Sequence, residues 1–203
     1  MPPLPTDPTD LTDVTGLVLA AGGSSRLGRP KQLLPLGGAT LLDATLSVVR
    51  RCGFGQVVVA LGGAADEVAA TVDLSGVDVV RNPGFGAGCS SSIVAALPSV
   101  APSSRGVVLL LGDQPEVTVA AVRAVAAAGG DLAVCRYADG LGHPFWLGRG
   151  LFGELANLHG DKAVWKLVDA AGDSLATVPV DGEVPADVDT EADYAALLAR
   201  WDR

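Results

Sequence analysis

Continuous apolar runs of strand length alternate with helix-type segments along almost the whole chain, and this alternation limits the fold more than any other feature. The runs are Gly16–Ala21, Gln56–Leu61, Val77–Val80, Gly106–Leu111 and Asp131–Arg136, with Phe145–Leu147 and Ala176–Val180 as candidates for later strands. Helix-type segments lie between them at Thr40–Arg51, Ala64–Val72, Ser90–Leu97, Val117–Ala128, Lys162–Ala171 and Glu191–Trp201. A run such as Val107–Leu111 is apolar on both faces and must be covered on both. The pattern predicts an α/β protein, a doubly wound three-layer α/β/α sandwich around a mostly parallel, Rossmann-like sheet. At 203 residues the chain supports one well-buried core. We expect that domain over 16–203, after a flexible lead-in over 1–15 that is rich in Pro, Thr and Asp. The lead-in lacks the basic start and apolar centre of a signal peptide. No apolar segment approaches the roughly 20 residues of a membrane span.

Ligands of such sheets bind beyond the carboxyl ends of strands, where this sequence turns polar and rich in glycine. The first run, Leu17-Val18-Leu19-Ala20-Ala21, breaks into Gly22-Gly23-Ser24-Ser25-Arg26-Leu27-Gly28-Arg29-Pro30-Lys31. Glycines at 22, 23 and 28 permit backbone angles and close approaches that a Cβ would block. Backbone N–H groups in such a loop converge on an anion, and Arg26 and Lys31 bring cations to neutralise a polyphosphate. The segment reads as a nucleotide-triphosphate cradle. A net charge of −9 means that an anionic substrate must be met by a local basic patch, supplied here by Arg26, Arg29 and Lys31. The same charge argues against nucleic acid or an anionic membrane as partner.

Two commoner phosphate loops fail on spacing. Gly23 and Gly28 have the first interval of a Walker A loop, but Arg29-Pro30-Lys31-Gln32 follows, with no hydroxyl after the lysine to hold magnesium. A dinucleotide fingerprint needs Gly-x-Gly-x-x-Gly and an acid closing the second strand, which runs instead into Gly62-Gly63. The misplaced glycines thus count against an NAD(P)-dependent oxidoreductase.

Gly112-Asp113-Gln114-Pro115 ends the Gly106–Leu111 run and presents one hard carboxylate. Mg²⁺ takes one or two such ligands together with phosphate oxygens, although a helix cap or an Asx turn before Pro115 would also account for Asp113. Asp187 and Asp189 face the same way if their segment is extended, with Thr190 placed to cap the acidic first turn of the last helix. In Asn82-Pro83-Gly84-Phe85-Gly86-Ala87-Gly88-Cys89-Ser90-Ser91-Ser92, glycines and serines precede a helix N-terminus, where amides and hydroxyls can meet a ligand. Gly142-His143-Pro144 and Gly160-Asp161-Lys162 carry weaker signals. Cys52, Cys89 and Cys135 are odd in number and without a CxxC pair, as expected for reduced thiols of a cytoplasmic protein without a zinc site.

Together these motifs, running from Leu17 to Tyr194, resemble the molybdenum-cofactor cytidylyltransferases and their guanylyltransferase relatives, the MobA-like nucleotidyltransferases, whose sheet is of the nucleotide-diphospho-sugar transferase type. The glycine loop and Gly112-Asp113-Gln114-Pro115 are common to many nucleotidyltransferases. Gly142-His143-Pro144, Gly160-Asp161-Lys162 and Asp187-Val188-Asp189-Thr190 point to the cytidylyltransferase branch. The resemblance implies Mg²⁺-dependent transfer of CMP from CTP, or of GMP from GTP, to the terminal phosphate of molybdopterin, with release of pyrophosphate. It implies nucleotide contacts at Leu19, Ala20, Ala21, Gly22, Gly23, Ser24, Lys31, Gly88, Ser91 and Asp113. Catalytic roles fall to Arg26, Lys31 and Asp113. Metal ligation falls to Asp113 and Asp189, with Asp187 as the alternative, and acceptor contacts to His143 and Lys162. A molybdenum hydroxylase is the implied client.

Two departures stand out. Leu27 occupies the usual place of Met, and Lys162-Ala163-Val164-Trp165 that of Lys-Gly-Ala-Arg, one cation fewer near the acceptor. Enzymes that transfer nucleotides to sugar or alditol phosphates share the first loop, but in a longer form with Thr before the Arg. A non-catalytic carrier of the cofactor is a further reading, and the intact Arg26, Lys31 and Asp113 set weighs against it.

Overall fold

The computed structural model describes residues 10–160 and 162–201. In chain order the elements are β1 (Thr15–Ala20), a hairpin of β2 (Pro35–Leu36) and β3 (Ala39–Thr40), α1 (Leu41–Cys52), β4 (Gln56–Leu61), α2 (Ala65–Thr71), β5 (Asp78–Arg81), α3 (Cys89–Ala96), β6 (Gly106–Leu111), α4 (Val119–Ala127), β7 (Leu132–Arg136), β8 (Leu141–Gly148), α5 (Phe152–Leu155), α6 (Ala163–Ala171), β9 (Ala176–Pro179) and α7 (Glu191–Trp201). Seven strands form one sheet in the order β5-β4-β1-β6-β8-β7-β9.

Side chains that alternate along each strand explain why the runs are apolar throughout. Val18 and Ala20 of β1 and Val108 and Leu110 of β6 pack with Leu42 and Leu46 of α1, Val68 of α2 and Val122 of α4. Their neighbours Leu17, Leu19, Val107 and Leu109 face the other way, against Ile93 of α3, Leu155 of α5 and Val168 of α6. Both faces of the sheet are therefore buried, as the expected three-layer architecture requires. A third cluster, with Leu27, Leu34, Leu36, Leu41, Val188 and Leu197, ties α7 to the segment after β1.

Helix limits follow from caps. Thr40 Oγ1 accepts from Asp43 N at 3.1 Å while Asp43 Oδ2 accepts from Thr40 N at 3.1 Å, a reciprocal box that starts α1 one residue later than the pattern suggests. Gly53, at φ 80°, ends it.

Two expectations need correction. The expected strand at Phe145–Leu147 extends over Leu141–Gly148 and runs antiparallel to both β6 and β7. Gly142-His143-Pro144 has the composition of a turn, yet it lies where the register shifts between Val134 and Cys135, so the missing N–H of Pro144 breaks no ladder. The expected lead-in over 1–15 packs from Leu11 onward. Leu11 and Val14 are core residues and Thr15 opens β1, because Leu11 and Val14 pack with the α1 side of the sheet. Residues 1–9 lie outside the described set.

The topology brings the informative loops together. β1 and β6 are adjacent and parallel, so their carboxyl ends emerge side by side. Gly112 N donates to Leu19 O at 2.9 Å. A Cβ on Gly112 would lie 2.8 Å from that of Ala20, closer than real atoms sit, so only glycine lets Asp113 rise against the first loop.

Candidate active site

The loop after β1 is held by its own side chains. Ser24 adopts the left-handed region at φ 51°, and its carbonyl accepts from the N–H groups of Leu27 and Gly28 at 3.0 and 3.1 Å. Its hydroxyl accepts from Lys31 N at 2.9 Å. A Cβ on Gly22 would stand 3.2 Å from Lys31 Cε, so the bare glycine makes room for the lysine stem to cross the loop. Gln32 braces the loop from below, donating from Nε2 to the carbonyl of Ala20 at 2.6 Å and, more weakly, to that of Gly22 at 3.3 Å.

The lysine ends between two carboxylates. Lys31 Nζ donates to Asp113 Oδ2 and, at 2.8 Å, to Asp189 Oδ1. Arg26 holds the other oxygen of Asp189 at 2.6 Å, and Arg29 pairs with Glu191 at 3.0 Å. Burial works against the Lys31 ammonium, but Asp113 and Asp189 outweigh it and hold its pKa above the ordinary lysine value. Burial also works against the Asp189 carboxylate, and Lys31 with Arg26 reverses that and holds it below the usual range. Asp187 has no direct ion pair among the described residues, and the charge of Lys31 helps it only weakly. Burial and then the charge of Asp113 push its carboxyl up, against a stabilising bond to Oδ1 from Gln114 Nε2 at 2.8 Å. Thr190 and Asp193 form their own capping box at the head of α7, with the Asp189 N–H also donating to Asp193 Oδ2, which leaves the carboxylates of Asp187 and Asp189 clear of helix capping.

These groups border a cleft of about 510 Å³ at the carboxyl ends of β1 and β6. Of the residues expected at the site, Leu19, Ala20, Ala21, Gly22, Gly23, Lys31, Gly88, Asp113, His143, Lys162, Asp187 and Asp189 line it. Ser24, Arg26 and Ser91 do not. Ser24 is spent on the loop, and Arg26 reaches in only through Asp189. The Ser91 hydroxyl donates to Gly88 O at 2.7 Å and accepts from Asn82 Nδ2 at 2.8 Å, so Ser90 and Ser92 take its place on the wall. Sequence reasoning did not assign Gln32, Phe85 or Gln114 to the site, and it met Trp165 only as the loss of a cation. Gln32 and Gln114 each adjoin a residue that was singled out, and that adjacency was the available signal.

The far end of the cleft is aromatic. The ring of His143 lies 4.3 Å from that of Phe145, which meets Trp165 edge-on at 5.1 Å. Trp165 thus fills with an apolar ring the position where the related pattern carries a cation. Burial pushes the His143 imidazole down to about 4 from an ordinary 6.5, so it is neutral at pH 7. The unfolded chain takes up this proton below 6.5 while the folded protein resists it until about 4, so the folded state loses stability as pH falls through that window. Chemical denaturation at pH 7 and pH 5 should show a loss of roughly 2 kcal/mol from this group, and His143→Phe should remove that part of the slope.

Among the described residues, no three His, Cys, Asp or Glu side chains form a closed metal cage. Asp113 and Asp189 are nonetheless hard oxygen donors that already converge on one cationic group. That donor set suits a divalent ion which completes its shell with phosphate oxygens and water. No helix among the described residues is long and apolar enough to cross a membrane.

Residues 16–176 match the model of the MobA-like NTP transferase domain. The chain is 37% identical to nicotine blue oxidoreductase of Paenarthrobacter nicotinovorans over 110 residues, 54% of this chain and about half (53%) of that protein. It is 24% identical to molybdenum cofactor cytidylyltransferase of Escherichia coli over 91% of this chain and 95% of that one. Among solved structures, the Mycobacterium sp. strain JC1 homologue of Mycobacterium tuberculosis Rv0371c superposes with a TM-score of 0.88 at 55% identity, covering 95% of this chain and 98% of that one. A manganese complex of Rv0371c from M. tuberculosis H37Rv superposes with a TM-score of 0.83 at 50% identity, covering 92% and 98%. The chain belongs to the MobA-like NTP transferase family of nucleotidyltransferases.

Proposed function

We propose that the protein transfers CMP from CTP to the terminal phosphate of molybdopterin and releases pyrophosphate, with Mg²⁺ as the working ion and GTP as the alternative donor. The observation that carries this reading is Lys31, shared between Asp113 and Asp189 directly above a glycine loop at the carboxyl edge of the sheet. The similarity to the E. coli cytidylyltransferase supports the acceptor and the base. The manganese complex of a close relative supports a divalent ion.

In this reading the open backbone at Gly22 and Gly23 receives the nucleotide. Lys31 and Arg26 exchange carboxylate partners for phosphate oxygens. A phosphate oxygen of the acceptor attacks the α-phosphorus in line, the bond to pyrophosphate breaks, and no strong base is needed because the attacking group is already anionic. The protein's work is to position the two phosphates and neutralise their charge. Asp113 and Asp189 would hold the divalent ion, which when bound screens the charge of the departing pyrophosphate. His143, neutral, and Lys162 border the end left for the acceptor. A molybdenum hydroxylase in the cytoplasm would receive the product.

Pyrophosphate release, measured with Mg²⁺ and each of the four nucleoside triphosphates with and without molybdopterin, tests the proposal. Release that prefers CTP and requires molybdopterin is the expected result. Nucleotide binding with no release under any of these conditions would overturn molybdopterin as acceptor. The likeness to an oxidoreductase sets a second reading, and oxidation of NADH or NADPH by the same preparation would favour it.

A further inference from the structure

Three carboxylates, Asp113, Asp187 and Asp189, border one cleft, and like charges at such a spot repel. Asp113 is fixed by β6. Asp187 and Asp189 sit on the segment 181–190, which belongs to no strand or helix. Lys31 bridges Asp113 and Asp189 from one side. From the other side the tie is Gln114, the residue after Asp113. Its side chain is buried, and the amide donates from Nε2 to the carbonyl of Pro185 at 2.8 Å and to Asp187 Oδ1 at 2.8 Å. Val188, between the two acids, is fully buried against Leu34, Leu41 and Leu197, so a shift of the segment moves Asp187 and Asp189 together.

We propose that Gln114 is a positioning residue that sets the spacing between Asp113 and Asp189, and through it the affinity of the site for a divalent cation. The proposal rests on the reading of these two acids as cation ligands. The physical logic is that one neutral amide satisfies two acceptors on the segment 181–190 without adding charge. An acid at 114 would add a fourth negative charge, and an apolar side chain would leave the Asp187 carboxylate and the Pro185 carbonyl without a donor. Either change lets repulsion from Asp113 move the segment outward and carry Asp189 away from Lys31. Partners that orient metal ligands from the second layer typically contribute about 10–100-fold in metal affinity.

The test is a Mn²⁺ titration followed by electron paramagnetic resonance in the presence of CTP, on the wild type, Gln114→Met and Gln114→Glu. Thermal melts and a metal-free crystal structure of Gln114→Met accompany it. The expected result is Mn²⁺ binding weakened by about 10-fold or more in Gln114→Met and further in Gln114→Glu. The KM for CTP at saturating Mn²⁺ should stay within about twofold, and Asp189 should be displaced from Lys31 in the crystal. A residue that only stabilises the fold would lower the melting temperature and leave Mn²⁺ affinity unchanged in whatever fraction is folded, and that outcome overturns the proposal. If the wild type holds no Mn²⁺ even with CTP, the cation reading fails. In that case an Asp189–Lys31 contact preserved in the Gln114→Met crystal overturns the positioning role separately.

Discussion

Lys31→Met is expected to lower kcat/KM for nucleotidyl transfer by about 10²-fold or more, as loss of one preorganised charge-stabilising contact does in other enzymes. Methionine keeps most of the stem that crosses Gly22, so the loop should hold its shape. What disappears is the ammonium that Asp113 and Asp189 share. The two carboxylates, with Asp187 beside them, then lose their shared counter-charge, and Arg26 on the outer oxygen of Asp189 is the cation left in contact with them. Two signatures follow. The variant should bind Mn²⁺ more tightly than the wild type when no nucleotide is present, because the ion no longer competes with the lysine. It should also bind CTP more weakly, because the triphosphate loses a cation. Steady-state kinetics with a metal-binding isotherm check both, and an unchanged isotherm would show that the ammonium and the ion do not share a place.

Asp113→Asn is expected to cost about 10²–10³-fold in kcat, with a different signature. Asparagine keeps the shape and one oxygen but removes a negative charge from the end of β6. The KM for the metal should rise and the site should bind free triphosphate no worse than before, since one source of repulsion has gone. Lys31 retains Asp189 as a partner, so the fold should survive. Raising the Mg²⁺ concentration should restore part of the rate in Asp113→Asn and none of it in Lys31→Met. If Asp113→Asn turned over at the wild-type rate, Asp113 would be a loop residue and the cation site would lie elsewhere.

The strands were legible because both faces of the central sheet are buried. Val107–Leu111 has no polar face to confuse its reading, and β1, β4 and β6 fall where their apolar runs lie. β8 was not legible in full, since Gly142, His143 and Pro144 are turn-type residues that a bulge accommodates inside a strand. A bulge depends on the partner strand, and a linear reading does not contain the partner. The site divided in the same way. Gly22, Lys31 and Asp113 are visible as a loop and a strand end. The roles of Gln32 and Gln114 depend on carbonyls that only the fold brings near, Ala20 for one and Pro185 for the other. Ser91 misled because its hydroxyl satisfies Gly88 and Asn82 within its own turn.

The reach from Arg26 to Asp189 spans 163 positions, whereas the last strand of the sheet, β9, is complete at Pro179. Every strand of the sheet therefore precedes the acids at 187 and 189 in the chain, and the sheet alone gives the basic loop Arg26, Arg29 and Lys31 only Asp113 as counter-charge. The segment after β9 supplies the rest, and α7 fastens it through Arg29–Glu191 and the bond from Tyr194 to the Pro35 carbonyl. A single protease cut between Val180 and Asp187 would spare the whole sheet and still sever the covalent link that carries the acids back to the loop.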